Sequence, residues 1–113
     1  MGGCVPPHRR AVEAVVNQHP AVLESAAVRV RSREGEDEVK VFVVLKDGQP
    51  LEPAELIDFL VPRMPRFMVP RYVEFAGALP KTATQRIEKG RLRDKGLNEN
   101  TWDREKAGVF LSR

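Results

Sequence analysis

Apolar residues recur along this chain at two spacings, one helical and one alternating. Val12, Val15 and Val16 share one helical face and Pro20 follows, so a short amphipathic helix is predicted from about Arg10 to His19. From Ala26 to Arg33 the period drops to two: Val28 and Val30 alternate with Arg29 and Arg31, the pattern of a half-buried strand. Glu34-Gly35-Glu36-Asp37 reads as a turn, and Val39 to Leu45, rich in β-branched residues, as the strand that completes an antiparallel hairpin. Asp47-Gly48 ends it. Leu56, Ile57 and Leu60 then form the stripe of a second helix, with Pro53 in its first turn and Pro62 as its boundary. Pro65 and Pro70 keep the chain extended before a short strand, Tyr72 to Phe75, which Gly77 breaks. Residues 80–86 are a loop, Ile87 to about Lys95 a last helix, and Gly96 its stop. One more helical turn is expected around Trp102, and residues 1–10, with two glycines and two prolines, are expected to form a loop.

The order α-β-β-α-β-α predicts an α+β fold, a small antiparallel hairpin plus a third strand packed against helices on one face of the sheet. At 113 residues, 1–113 is expected to be a single domain with a modest core. The lone Cys4 leaves no internal disulfide and no zinc cluster. The longest apolar run, Val41 to Leu45, is too short to span a bilayer, and no secretory signal opens the chain. Cytoplasm is the expected compartment, with no membrane span.

Charge changes this picture locally. Between Pro80 and Lys95 stand Lys81, Arg86, Lys89, Arg91, Arg93 and Lys95 against Glu88 and Asp94, an excess of four where the whole chain has +3. Such a field suits a polyanion, a nucleotide or coenzyme phosphate, or else marks a solvated basic face. The isoelectric point near 9.4 invites nucleic acid. But Phe42, Phe59, Phe67, Phe75, Phe110, Tyr72 and Trp102 sit among apolar neighbours and not among Lys and Arg, so a base-stacking surface is not expected.

Catalytic candidates are few. His8 and His19 have no Cys or acidic partner at ligand spacing, so no metal site is expected and each reads as a surface or cap histidine. Cys4 lies among glycine and proline with no helix to lower its pKa, and no serine sits in a strained elbow. Neither a Walker loop nor G-x-G-x-x-G is present. By itself the chain lacks the parts of an enzyme.

The stretch R-M-P-R-F-M-V-P-R-Y-V-E-F-A-G-A-L-P-K-T-A-T-Q-R-I-E-K-G-R-L-R resembles the C-terminal domain of the adenylate-forming (AMP-dependent) acyl-CoA synthetases. That family carries L-P-x-Y-M-V-P, a strand, and then L-P-[KR]-T-x-[ST]-G-K-I-x-[KR]-x-x-L-R. Phe67-Met68-Val69-Pro70, Leu79-Pro80-Lys81-Thr82, Ile87, Lys89, Leu92 and Arg93 match in place and spacing. Val12-Glu13-Ala14-Val15-Val16 and His19-Pro20-Ala21-Val22 are similar to the family's V-E-x-V-L and H-P-x-V. The likeness runs from about residue 5 to 105. The opening G-G-C-V-P-P-H is similar to the family's G-x-N-[IV]-S-P-x-E, with Cys4 in place of the usual polar residue and the register lost at Arg9-Arg10-Ala11.

The resemblance implies a lid, not an independent catalyst. A large N-terminal domain, absent from this sequence together with its hinge motif, would hold the acyl pocket and the ATP phosphates. The lid closes one way for adenylation of a carboxylic acid and swings for attack by the CoA thiol, so ATP (Mg-bound), CoA and acyl-adenylate are the implied ligands. The family's Gly-Lys is Gln85-Arg86 here. That lysine stabilises charge in adenylation, which the resemblance assigns to Arg86, with Lys89 as the fallback; Lys81, Gln85 and Arg86 are the implied cofactor-binding residues. Arg86 keeps the charge in a longer, planar, forked group, and Gln85 removes glycine's backbone freedom. The alternative to this whole reading is a stand-alone basic module that binds nucleic acid or protein without catalysis.

Overall fold

The computed structural model describes residues 7–32, 34–35, 37–65 and 68–106. Helix α1 spans Pro7–Val16, strand β1 Val22–Arg31, β2 Asp37–Leu45, helix α2 Pro53–Leu60, β3 Tyr72–Phe75, helix α3 Lys89–Lys95 and β4 Trp102–Asp103. The four strands form one sheet in the order β1-β2-β3-β4. β1 and β2 make the antiparallel hairpin, β3 runs parallel to β2, and β4 is antiparallel to β3. A parallel neighbour needs a crossover, and α2 with the 3₁₀ turn Val61–Arg63 supplies it.

The α+β reading holds, with three corrections. Both faces of the sheet are covered, not one. Val41, Val43 and Val73 meet Val12 and Val16 of α1 and Leu56, Ile57 and Leu60 of α2. On the other face Val28, Phe42, Val44 and Tyr72 meet Leu79 and Leu92. β2 is therefore apolar in both phases, as expected of a strand with a parallel partner and two covered faces. Second, the residues around Trp102 form a strand, not a helical turn: Val73 pairs with Trp102 and Tyr72 with Asp103. Third, α3 begins at Lys89 and not Ile87, because Ile87 bridges back to Lys81.

Boundaries shift in two further places. α1 starts at Pro7, a residue suited to a first turn, inside the expected loop; that loop's residues 1–6, with Cys4, lie outside the described residues, as do Phe67 and Phe110. β1 starts at Val22, with a register shift between Val22 and Glu24 that leaves Leu23 exposed. α2 is as expected; the Glu52 N–H donates to Glu55 Oε1 (2.9 Å), satisfying an amide at its start. Among the described residues no helix is long and apolar enough to cross a membrane.

Candidate functional site

The basic segment builds a tight hairpin on the β1 side of the sheet. Its arms are Lys81 and Ile87, and the Glu88 N–H donates to the Pro80 carbonyl (2.8 Å). At the tip the Thr82 N–H donates to the Arg86 carbonyl (2.8 Å) and the Gln85 N–H to the Thr82 carbonyl (2.9 Å). Gln85 has φ +69°, the one non-glycine among the described residues with positive φ. A turn closed by a left-handed residue is a common three-residue hairpin loop, and glycine is its usual occupant. The sequence places Gln85 where the family pattern has glycine, and the backbone there takes a left-handed conformation that costs a non-glycine residue roughly 1–2 kcal/mol.

The three lysine and arginine candidates differ in their partners. Arg86 is exposed, and among the described residues no hydrogen bond or ion pair engages its guanidinium. Lys81 pairs with Glu24 of β1 at 3.0 Å, about one third exposed. Such a pair is worth about 0.2–1 kcal/mol, which a phosphate could outcompete. Lys89 is less available. Its ammonium pairs with Glu13 of α1, and the same Glu13 Oε2 accepts the Ala27 N–H at 2.7 Å. Ala27 lies on the edge strand, so moving Glu13 away would strand a buried amide at a cost of about 1–3 kcal/mol. Arg91 pairs with Glu88 at 3.3 Å, within its own helix end.

Two buried ionic clusters escaped the sequence reading. Lys40 of β2 is fully buried and donates to Glu74 Oε1 (2.7 Å), the Gly96 carbonyl (2.7 Å) and Thr101 Oγ1 (2.8 Å), using all three protons. Burial pushes its pKa down, and the hydrogen bond and charge of Glu74 oppose that shift. Asn98 Nδ2 also donates to Glu74 Oε1 (3.2 Å). Arg71 grips Asp103 bidentately along one edge of its fork (Nε to Oδ1 3.1 Å, Nη2 to Oδ2 3.2 Å) and Glu34 through Nη1 (2.9 Å). These clusters fasten residues 96–104 to the sheet and so fix the far end of α3. The signal of the Lys40–Glu74 cluster was present: a lysine and a glutamate each interrupt an apolar strand, in V-K-V-F-V-V and Y-V-E-F.

His19, Met64, Met68 and Trp102 make packing and turn contacts. His19 Nδ1 accepts the Ala21 N–H (3.0 Å) and its ring meets Phe59 edge-on at 4.8 Å, so it braces the turn between α1 and β1. Met64 and Met68 are core residues, and Trp102 packs partly buried against the same core. Among the described residues no group of three or more His, Cys, Asp and Glu side chains gathers to hold a metal.

Known proteins resemble this chain in sequence and fold. The sequence profile of the family described as AMP-binding enzyme C-terminal domain matches residues 11–86. A long-chain-fatty-acid–CoA ligase of Escherichia coli is 42% identical over 83 residues, covering 74% of this chain and 15% of its own. The 2-methylpropanoate–CoA ligase CCL4 of Humulus lupulus is 36% identical over 106 residues, 90% of this chain and 18% of its own. The solved acyl-CoA synthetase of Brucella canis superposes with TM-score 0.71 and 32% identity, over 77% of this chain and 17% of that one. This chain thus spans less than a fifth of the length of the relatives it matches. These matches lend no support to the alternative of a stand-alone basic binding module. With the profile covering more than half of its residues, and a solved acyl-CoA synthetase sharing its fold, the chain belongs to the AMP-binding enzyme C-terminal domain family, the C-terminal domain of the adenylate-forming acyl-CoA ligases.

Proposed function

We propose that residues 1–113 act as one domain, the mobile lid of an ATP-dependent acyl-CoA ligase, beside an N-terminal domain that binds the acyl group and the ATP phosphates. In adenylation a carboxylate oxygen of the acid bonds to the α-phosphorus of ATP, and the bond to pyrophosphate breaks. Negative charge redistributes over the carboxylate and phosphate oxygens as this happens. A preplaced cation in a site closed to water stabilises that charge. Arg86 fills this role: it stands at the hairpin tip, and its guanidinium carries five donors in a planar fork. Magnesium arrives with the nucleotide.

In the second half-reaction the CoA thiol attacks the carbonyl of the acyl-adenylate and AMP leaves. The domain swings, the Arg86 tip withdraws, and Lys81 exchanges its exposed pairing with Glu24 for a phosphate of CoA. Lys81, Gln85 and Arg86 thus form the ligand-facing set, while Lys89 holds the hairpin to α1 through Glu13. The substrate class is a carboxylic acid. A single cysteine with no disulfide partner in the chain suits a reducing compartment such as the cytoplasm.

The observation that carries this reading is the contrast among the hairpin cations: Lys81 and Lys89 have protein counter-charges, and the exposed Arg86 guanidinium has none among the described residues. In the ligase that carries this domain, Arg86→Ala is expected to slow adenylation about 100- to 1000-fold, as for one lost contact to developing charge. Thioester formation from pre-made acyl-adenylate should fall far less. Equal losses in both half-reactions, or none, would remove Arg86 from the adenylation step.

A further inference from the structure

We propose that Thr82 is a positioning residue for Arg86 in adenylation, an inference that rests on the role just given to Arg86. Every polar group of Thr82 is spent on the hairpin tip. Its N–H donates to the Arg86 carbonyl (2.8 Å), its carbonyl accepts the Gln85 N–H (2.9 Å), and its hydroxyl oxygen accepts the Arg86 N–H (3.2 Å). Thr84 Oγ1 lies 3.1 Å from the same hydroxyl. With one lone pair given to Arg86, the Thr82 hydroxyl can send its own proton to Thr84, which fixes the rotor.

The grip matters because of what separates the two residues. Gln85 at φ +69° turns the chain so that Arg86 leaves the tip in one direction. A glycine would move in and out of that conformation readily. Glutamine is biased toward negative φ, and reverting there would swing Arg86 out of line. The Thr82 hydroxyl is the one side-chain group of the described residues that bonds the Arg86 backbone, and so it opposes that reversion where the cation is attached. A long guanidinium side chain makes the same angular error a larger displacement at its tip, and small misplacements at a reacting centre are expensive.

The test compares Thr82→Val, which removes the hydroxyl at nearly constant shape, with Thr82→Ser, which keeps it, in the ligase that carries this domain. Thr82→Val is expected to lower kcat for adenylation about 10-fold with KM for ATP and acid within about twofold, since the lost group orients and does not bind. Thioester formation from pre-made acyl-adenylate should stay near wild type, which also shows that the variant folds, and Thr82→Ser should restore most of the adenylation rate. Unchanged adenylation in Thr82→Val, equal loss in both half-reactions, or a serine variant as slow as the valine one would each overturn the proposal. Arg86→Ala in the same assay separates the two claims. If it is crippled while Thr82→Val is normal, only the Thr82 inference falls; if it is normal, the reading of Arg86 falls and takes Thr82 with it.

Discussion

Gln85 holds a conformation that its own side chain disfavours, kept there by bonds that Thr82 makes around it. Strain of this kind is local and reversible by glycine. Gln85→Gly is expected to stabilise the fold by about 0.5–1 kcal/mol, the relief of left-handed strain exceeding the extra entropy glycine brings to the unfolded chain. An upward shift of the urea midpoint with unchanged slope would report it; a downward shift would mean that the tip is not left-handed in solution. The position of Gln85 was legible from the glycine of the family pattern, whereas nothing in a glutamine announces positive φ. The place of Arg86 in a loop was equally legible. The engagement of Lys81 and Lys89 was not, because Glu24 and Glu13 belong to β1 and α1 and reach the hairpin only once the sheet has formed.

Among the elements, β2 shows what the sequence could and could not reveal. Val39 to Leu45 was readable as a strand, but the partner on its far side was not. Its near-continuous apolar run is the mark of a strand covered on both faces, and reading it so would have anticipated the second layer formed by α3 and Leu79. β4 has two residues, too few for any periodicity, and exists because Arg71 and β3 supply its bonds. That anchorage is sensitive to acid. Burial raises the pKa of Asp103, but hydrogen bonds from Arg71 and from the Glu105 and Lys106 amides outweigh it and leave the carboxyl below its ordinary value. Glu34, bonded to the same guanidinium, is also lowered. A carboxyl with a depressed folded pKa contributes stability that is complete above its unfolded value, about 3.9 for Asp, and is lost as pH falls through the folded value. Stability should therefore decline steeply below about pH 4, and Asp103→Asn should be less stable at pH 7 yet lose less on acidification. Urea midpoints of both proteins between neutral and acid pH check this; parallel pH curves would mean that Asp103 is not coupled to Arg71.

At the scale of the whole molecule, the sheet is a platform that presents one hairpin. Two anchors hold the hairpin's base: Lys81 to Glu24 on the edge strand, and Lys89 through Glu13 to the backbone of Ala27. The buried Lys40–Glu74 and Arg71–Asp103 clusters hold the segment that follows α3. The tip between the anchors, with Arg86, is left facing outward. Such a division, held at the base and exposed at the tip, suits the mobile lid proposed above. Family membership and the order of elements as far as α3 were readable along the chain; the division of labour among its cations was not, since it depends on contacts between residues far apart in sequence. It also sets the most direct test. The burst of pyrophosphate on mixing acid and ATP with the ligase carrying this domain should be slowed about 100- to 1000-fold by Arg86→Ala, and by under about tenfold by Lys89→Ala, which loses an anchor and not the cation. The reverse order, with Lys89→Ala abolishing the burst and Arg86→Ala leaving it fast, would contradict the account.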